Sequence, residues 1–391
     1  MCDNCGVNRR DFLALTAAIS ATAELGLSSC GKPGAEQAVK VGYLAITDSA
    51  PLLVAHARGL YKAEGLTAEP PRLFRSWAQL AEAFLARQVN VVHMLMPATI
   101  WVRYASKFPA KVVAWSHTNG SALTVLPEIS GLSDLGGRTA AVPFWYSIHN
   151  VLLQRMLREA GLHVATKPQA TALSRNQVNL TILPPADMVS ALANRSIAAY
   201  IVAEPFNAIA ESLKIGKILR FSGDAWRNHA CCVIFMHEED LRERRHWTQA
   251  VVNAVVKAEL WSQDNRQGVA GILSKEGGKY TPHSRAVLER ALGYYDAGFY
   301  HPTGAIEHPD WPLHRIDFQP YPFPSYTREL VTFLKETAVQ GDTAFLTGLD
   351  PEQVAADLVD TSFVTNAIKN AHATAAFGLG SGFSRIEEVR I

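Results

Sequence analysis

The amino-acid sequence predicts an α/β protein of two lobes, the second inserted into the first, followed by a helical C-terminal extension. Three observations carry that expectation. From Ala38 onward, short apolar runs alternate with segments of helical period. A βαβαβα unit of roughly 100 residues follows Gly137. A late apolar strand, Ala230 to Met236, then sends the chain back.

Composition agrees with this and excludes other classes. At 391 residues the chain is long for one domain, because domains average about 150 residues. Hydrophobic residues make up 48% and charged ones 19%, which is the make-up of a folded protein with ample core. Lys and Arg number 37 against 36 for Asp and Glu, so the net charge of +1 gives no global attraction to nucleic acid. No uncharged apolar run in the body is long enough to span a bilayer.

Residues 1–29 read as an export signal. Arg9-Arg10-Asp11-Phe12-Leu13 precedes a modest apolar stretch from Phe12 to Ala23, as in a bacterial twin-arginine signal. Leu27-Ser28-Ser29-Cys30 resembles a lipoprotein cleavage box, with Cys30 as the lipidated residue. Residues 30–37 are small and polar and suit a tether. Cys2 and Cys5 would leave with the signal, so of the five cysteines only Cys231 and Cys232 belong to the body. Adjacent cysteines rarely close a disulfide with each other.

In the body, residues 38–125 read as the first part of lobe 1, with a strand over Val39 to Ile46 and a helix entered at Pro51. A helix around Trp77 to Arg87, a strand from Val89 to Met94, a helix from Ala98 to Ser106, and strands Lys111 to Ser116 and Ala122 to Leu126 follow. Residues 126–228 read as lobe 2. Its strand Thr139 to Pro143 leads to helix Ser147 to Ala160, closed by Gly161, then strand Leu180 to Leu183, helix Ala186 to Ala193, strand Ala198 to Val202 and a helix from Pro205 to Lys214. Residues 229–330 return to lobe 1, and 331–391 form the extension, where Gly378 to Gly382 reads as flexible tail.

Open α/β sheets bind ligands beyond the carboxyl ends of their strands. That rule singles out Thr47, Asp48, Met96, His117, Phe144 to Ser147, Glu204 and Trp226. Cys231-Cys232 with Met236 and His237 could supply soft-metal donors. The packed-strand account is preferred, since alternate strand residues cannot all face one ion, and no metal site is expected. A catalytic pair of Cys232 with His229 or His149 lacks any nucleophile motif, so no catalytic residue and no cofactor is assigned.

Ile46-Thr47-Asp48-Ser49-Ala50-Pro51, Ser76-Trp77, His93-Met94-Leu95-Met96-Pro97, Leu183-Pro184-Pro185-Ala186-Asp187-Met188-Val189, Val202-Ala203-Glu204-Pro205-Phe206-Asn207 and Gly223 to His229 occur in one register from about Val39 to Gln263. Together they resemble the nitrate- and bicarbonate-binding proteins of ABC importers, whose superfamily also holds sulfonate, taurine and thiamin-pyrimidine binders. The resemblance implies a two-lobed periplasmic-binding fold of type II with a central cleft. It also implies closure on a small anion or planar heterocycle, delivery to an ABC permease and its ATPase subunits, and no chemistry on the ligand.

Carried over residue by residue, the resemblance implies ligand contact at Trp77, at Gly120 where backbone approaches the ligand, and at His149 near a helix N-terminus. Thr47, Asp48, Met96, Ser121, Tyr146, Ser147, Trp226, His229 and Cys232 complete the candidate set. Glu204 joins it, though a bare carboxylate would oppose an anion and suits an architectural role better. Two positions depart from the pattern: Cys232 aligns with a charged residue and Ser121 with a glutamine. Phe144-Trp145-Tyr146 stands where the family has small residues. The alternatives from the same superfamily are a thiamin-pyrimidine-type biosynthetic enzyme and a ligand-sensing module.

Overall fold

A computed structural model describes residues 38–165, 172–311, 314–380 and 382–391. The export signal, the tether and Cys30 lie outside the described residues.

Four early strands, β1 (Val41–Leu44), β2 (Arg72–Phe74), β3 (Val91–Leu95) and β4 (Ala110–Trp115), and a late one, β12 (Cys232–His237), form a five-stranded sheet in the order β2-β1-β3-β12-β4. β1 pairs in parallel with β2 and β3, while β12 runs antiparallel between β3 and β4, with Cys232 opposite Leu95 and Val233 opposite Trp115. Every residue of β1, β3 and β12 is buried, which is why these strands read as apolar runs without alternation.

The second sheet comprises β6 (Ser121–Val125), β7 (Thr139–Val142), β8 (His163–Ala165), β9 (Gln177–Ile182), β10 (Ala199–Ala203) and β11 (Lys217–Phe221), ordered β11-β6-β10-β7-β9-β8. Here β6 is the antiparallel member, paired to both β10 and β11. The chain therefore crosses between sheets at residues 116–120, ahead of the boundary at 125 expected from sequence. The crossing is short because Gly120 adopts φ +81, a left-handed turn that costs glycine little. A return crossing runs through 222–231, and the two touch: Thr118 bridges Ala230, and Asn119 N–H donates to His229 O at 2.9 Å. A two-stranded ladder of β5 (Thr118–Asn119) with β13 (Ile316–Asp317) braces them. The two sheets belong to one compact unit, Ala38–Ile391.

Helices flank the sheets where apolar spacing places them. Ser76 Oγ accepts from Gln79 N–H to start helix Trp77–Leu85, and Ser147 Oγ accepts from Asn150 N–H to start helix Ile148–Glu159. The helix expected over Ala98 to Ser106 begins earlier, at Met96, and widens into a π turn over Trp101–Ala105. Beyond β12 the long helix Arg245–Asp264 packs on helices Ala50–Ala57 and Ser362–Asn370, which closes the core of the first sheet. The stretch read as flexible tail does not end the ordered chain. Val389 bridges Trp226, and Arg227 N–H donates to Glu388 O at 3.0 Å, so the last residues dock on the return crossing.

Candidate functional site

In the first sheet, the carboxyl ends of β1, β3 and β4 lie beside the start of antiparallel β12. This edge carries Thr47 and Asp48, Met96, His117, Cys231 and Cys232. The second sheet contributes Ser121 at the start of β6, Glu204 after β10, and Ser147 and His149 after β7. All these side chains are buried.

Asp48 is the hub. Its Oδ2 lies 2.9 Å from His117 Nε2 and accepts from Cys232 Sγ at 3.3 Å, while Ser116 Oγ donates to its backbone carbonyl at 2.6 Å. Burial opposes a charged His117, but the Asp48 carboxylate and Cys231 outweigh it and raise the imidazole to about 10. Burial also raises Asp48, against the pull of His117. His117 Nε2 thus lies 2.9 Å from Asp48 Oδ2 and within 3.2 Å of the Cys232 backbone N–H, which donates toward it.

The two thiols differ. Burial would raise Cys231, yet its contact with Cys232 and the imidazoles of His149 and His117 bring it well below the usual thiol range. Cys232 is pushed well above that range by burial, by Cys231 and by Asp48. Their sulfurs are 3.9 Å apart, and Cys231 Sγ is 3.8 Å from His149 Nε2. Ser121 Oγ shares a 2.8 Å hydrogen bond with that same His149 nitrogen, which joins the second sheet to the cluster.

Around this centre stand buried groups without partners: Nδ1 of His93, His117, His149 and His229, and Nε1 of Trp77. Burial holds His93 down to about 3 and His229 to about 4, so both rings are neutral. His93 Nε2 accepts from Leu44 N–H at 2.9 Å, and its ring lies against Trp77, with centroids 5.3 Å apart. His229 Nε2 is 2.8 Å from Ser222 Oγ.

The remaining sequence candidates lie as follows. Thr47 N–H donates to Glu204 O at 2.9 Å, a direct link between the two sheets. Glu204 Oε1 accepts from Arg315 Nε at 2.6 Å and Oε2 accepts from Ala208 N–H at 3.1 Å, so its carboxylate is fully engaged. Met96 N–H donates to Cys231 O at 3.0 Å. Ser147 serves as a helix cap. Tyr146 stands apart, stacked on Trp101 and packed near Phe345. Trp226 turns its Nε1 to Glu387 Oε2 at 2.9 Å and its ring to Tyr326, away from the cluster.

Sequence reasoning left His93, Cys231 and Arg315 out of the candidate set, and His117 was singled out only by its strand-end position. A cavity of about 430 Å³, lined in part by Thr118, Arg227, Gln263, Asp317 and Arg385, opens beside the C-terminal segment.

The chain is 24% identical over 304 residues to the nitrate/nitrite binding protein NrtA of Nostoc sp. PCC 7120, covering 71% of this chain and 66% of that protein. It is 28% identical over 242 residues to the nitrate import ATP-binding protein NrtC of Synechocystis sp. PCC 6803, covering 58% of this chain and 35% of that protein. Among solved structures it superposes on the periplasmic nitrate-binding protein NrtA from Synechocystis PCC 6803 with a TM-score of 0.73 at 18% identity, covering 90% of this chain and 93% of that one. The fold is thus that of the periplasmic binding proteins. The sequence profile described as the NMT1-like family matches residues 32–274, more than half of the chain, and the protein belongs to that family.

Proposed function

We propose that this chain is the extracytoplasmic solute-binding component of an ABC importer. In this reading it captures a small anion or a planar heterocycle between its two sheets and releases it unchanged to a permease driven by ATPase subunits. The observation that supports it best is the set of unpartnered buried groups on His93, His117, His149, His229 and Trp77 between the facing sheet edges. An unpaired buried polar group costs about 1–3 kcal/mol, and a captured solute would offset that cost.

The chemistry suits a solute that accepts hydrogen bonds. Asp48 is held by His117 and Glu204 by Arg315, so neither carboxylate stands bare against an anion. His149 lies in the first turn of helix Ile148–Glu159, where backbone N–H groups favour negative charge. The named roles of the relatives, nitrate binding for NrtA and ATP binding for NrtC, point the same way. Cys232 in place of a charged residue argues for a solute other than nitrate.

In this reading each of the two sheets carries one lobe, with β6 (Ser121–Val125) on the second, and capture is their hinge closure. Twin-arginine export, lipidation at Cys30 and attachment to the outer face of the membrane by that anchor alone complete it. No helix among the described residues is long and apolar enough to cross a membrane.

Native mass spectrometry of freshly purified protein should find a retained small solute. Thermal shifts with nitrate, bicarbonate, ethanesulfonate and a pyrimidine should then identify its class. A ligand at a hundred times its Kd stabilises by about 2.7 kcal/mol, and His149→Ala should remove that shift. No retained solute and no shift with any probe would overturn the ligand class, and consumption of a probe would overturn the transport role.

A further inference from the structure

We infer that Asp48, His117, Cys231 and Cys232 form a binding site for a thiophilic d¹⁰ cation of the zinc class. The inference goes beyond the transport reading and is argued from different observations, although it draws on His117 and Cys232, which that reading places at the solute.

One ligand atom from each residue, a carboxylate oxygen, an imidazole nitrogen and two sulfurs, can be chosen so that all lie within 4.8 Å of one another. The recorded separations are 2.9 Å from His117 to Asp48, 3.3 Å from Cys232 to Asp48, and 3.9 Å between the sulfurs. Zinc bonds of about 2.0–2.3 Å in a tetrahedron require donor separations of roughly 3.3–3.8 Å. These three separations need shifts of a few tenths of an ångström, and a pair at the 4.8 Å bound would have to close by about 1 Å.

The sequence objection was that strand alternation turns neighbouring residues to opposite faces. It does not apply, because Cys231 sits at a bend one residue before β12 begins. The bend lets both thiols approach Asp48 and His117.

Donor chemistry selects the ion. Two sulfurs with an imidazole and one carboxylate suit zinc and its soft congeners, whereas calcium and magnesium demand oxygen sets. The four side chains are fully buried, as a closed tetrahedral site requires. His117 Nδ1 has no partner, so the ring is not committed at both nitrogens to other protein groups. Binding balances when the cation takes the place of the proton between His117 and Asp48 and of the Cys231 and Cys232 thiol protons, all of which leave to solvent.

The test uses the full chain with Cys2→Ser, Cys5→Ser and Cys30→Ser, so that only two thiols remain. The reduced protein is stripped with chelator, then titrated with zinc against a chromophoric competitor and, separately, with cobalt. One ion per chain and a thiolate-to-cobalt charge-transfer band with tetrahedral visible bands are expected. Adding Cys231→Ser and Cys232→Ser should abolish the band and weaken zinc binding by more than about 100-fold, beyond the span typical of outer-shell changes. No bound ion, no charge-transfer band, or binding that survives the double substitution in a protein with native circular dichroism would overturn the site. If the cysteine variants do not fold, isosteric Asp48→Asn decides, and unchanged zinc affinity overturns the proposal. No anion or permease is present, so this failure leaves the importer reading intact, and failure to bind anions leaves this site intact.

Discussion

Arg315 Nε donates to Glu204 Oε1 at 2.6 Å, and neither side chain touches solvent. The pair joins the end of β10 to the ladder of β5 and β13, because Gly120 N–H also donates to Arg315 O at 2.8 Å and Glu204 N–H to Gly120 O at 2.8 Å. Arg315 continues to Glu211 Oε2 at 3.2 Å. Removing one partner of a buried ion pair costs about 3–5 kcal/mol when the other is left unpaired, and Glu211 still holds Arg315 once Glu204 is lost, so the low end of that range applies. Glu204→Ala should therefore lower unfolding stability by that order in urea titration. The double variant Glu204→Leu with Arg315→Met should lose much less than the two single losses added together. A single-variant loss below about 1 kcal/mol, the scale of a surface pair, would show that the pair is dispensable.

Buried histidines set an acid limit to stability. His93 is held down to about 3 by burial with His117 nearby, and burial also lowers His237 and His283. In the unfolded chain these rings titrate near 6.5. As pH falls below that value the unfolded state takes up protons that the folded state refuses, so stability drops with falling pH. Each such ring contributes about 1.4 kcal/mol per pH unit until its folded pKa is reached. Chemical denaturation at pH 6.5 and 5 should show this slope, and His93→Gln should flatten it by about one proton. An unchanged slope in that variant would mean that His93 is charged in the folded protein.

Chain order and the carboxyl-end rule fix where Thr47, Asp48 and His117 sit, whereas Ser121, at the start of β6, and His149, in a helix, were legible only through the family resemblance. Partners contributed from afar were invisible. Tyr146 is drawn to Trp101 and Phe345, Trp226 to Glu387, and the buried cation Arg315 comes from an aromatic, proline-rich stretch with no periodicity. His93 was hidden by its apolar neighbours in β3, where every residue is buried. Cys231 sits at a bend one residue before β12, a local departure from strand geometry that alternation in the sequence does not show.

Gly120 separates backbone strain from crowding. Its φ is +81, and an added Cβ would lie 3.1 Å from Ile316 Cδ1 and 3.2 Å from His117 Cε1. A left-handed conformation costs a non-glycine residue about 1–2 kcal/mol, and the crowding adds to it. Gly59→Ala supplies the comparison, since Gly59 has φ +68 and nothing within 4 Å of an added Cβ. Gly120→Ala should lower Tm more than Gly59→Ala, and equal losses would mean that Ile316 and His117 yield without cost.

The C-terminal segment acts as a clasp on the return crossing between the sheets. Trp226 Nε1 donates to Glu387 Oε2 at 2.9 Å, Arg227 N–H to Glu388 O at 3.0 Å, and Arg390 N–H to Ala225 O at 2.9 Å. Glu387 is itself held by Ser325 Oγ at 2.8 Å, and Arg385 Nη1 donates to Asn228 O at 3.0 Å. The crossing residues 225–228 lead directly to His229, Cys231 and Cys232, so loosening them disturbs the cluster from outside. At about 1 kcal/mol net per hydrogen bond, deleting residues 384–391 with their five hydrogen bonds should cost roughly 5 kcal/mol. The buried Trp226 N–H would also lose its acceptor. Urea denaturation should register the loss, and limited proteolysis should find new cleavage within 222–231. Trp226→Phe removes the indole donor and part of a fully buried ring, so it should cost more than the ~1 kcal/mol of one hydrogen bond, without new cleavage. A truncated chain with parental stability and the parental cleavage pattern would show that this docking contributes nothing to the hold between the sheets.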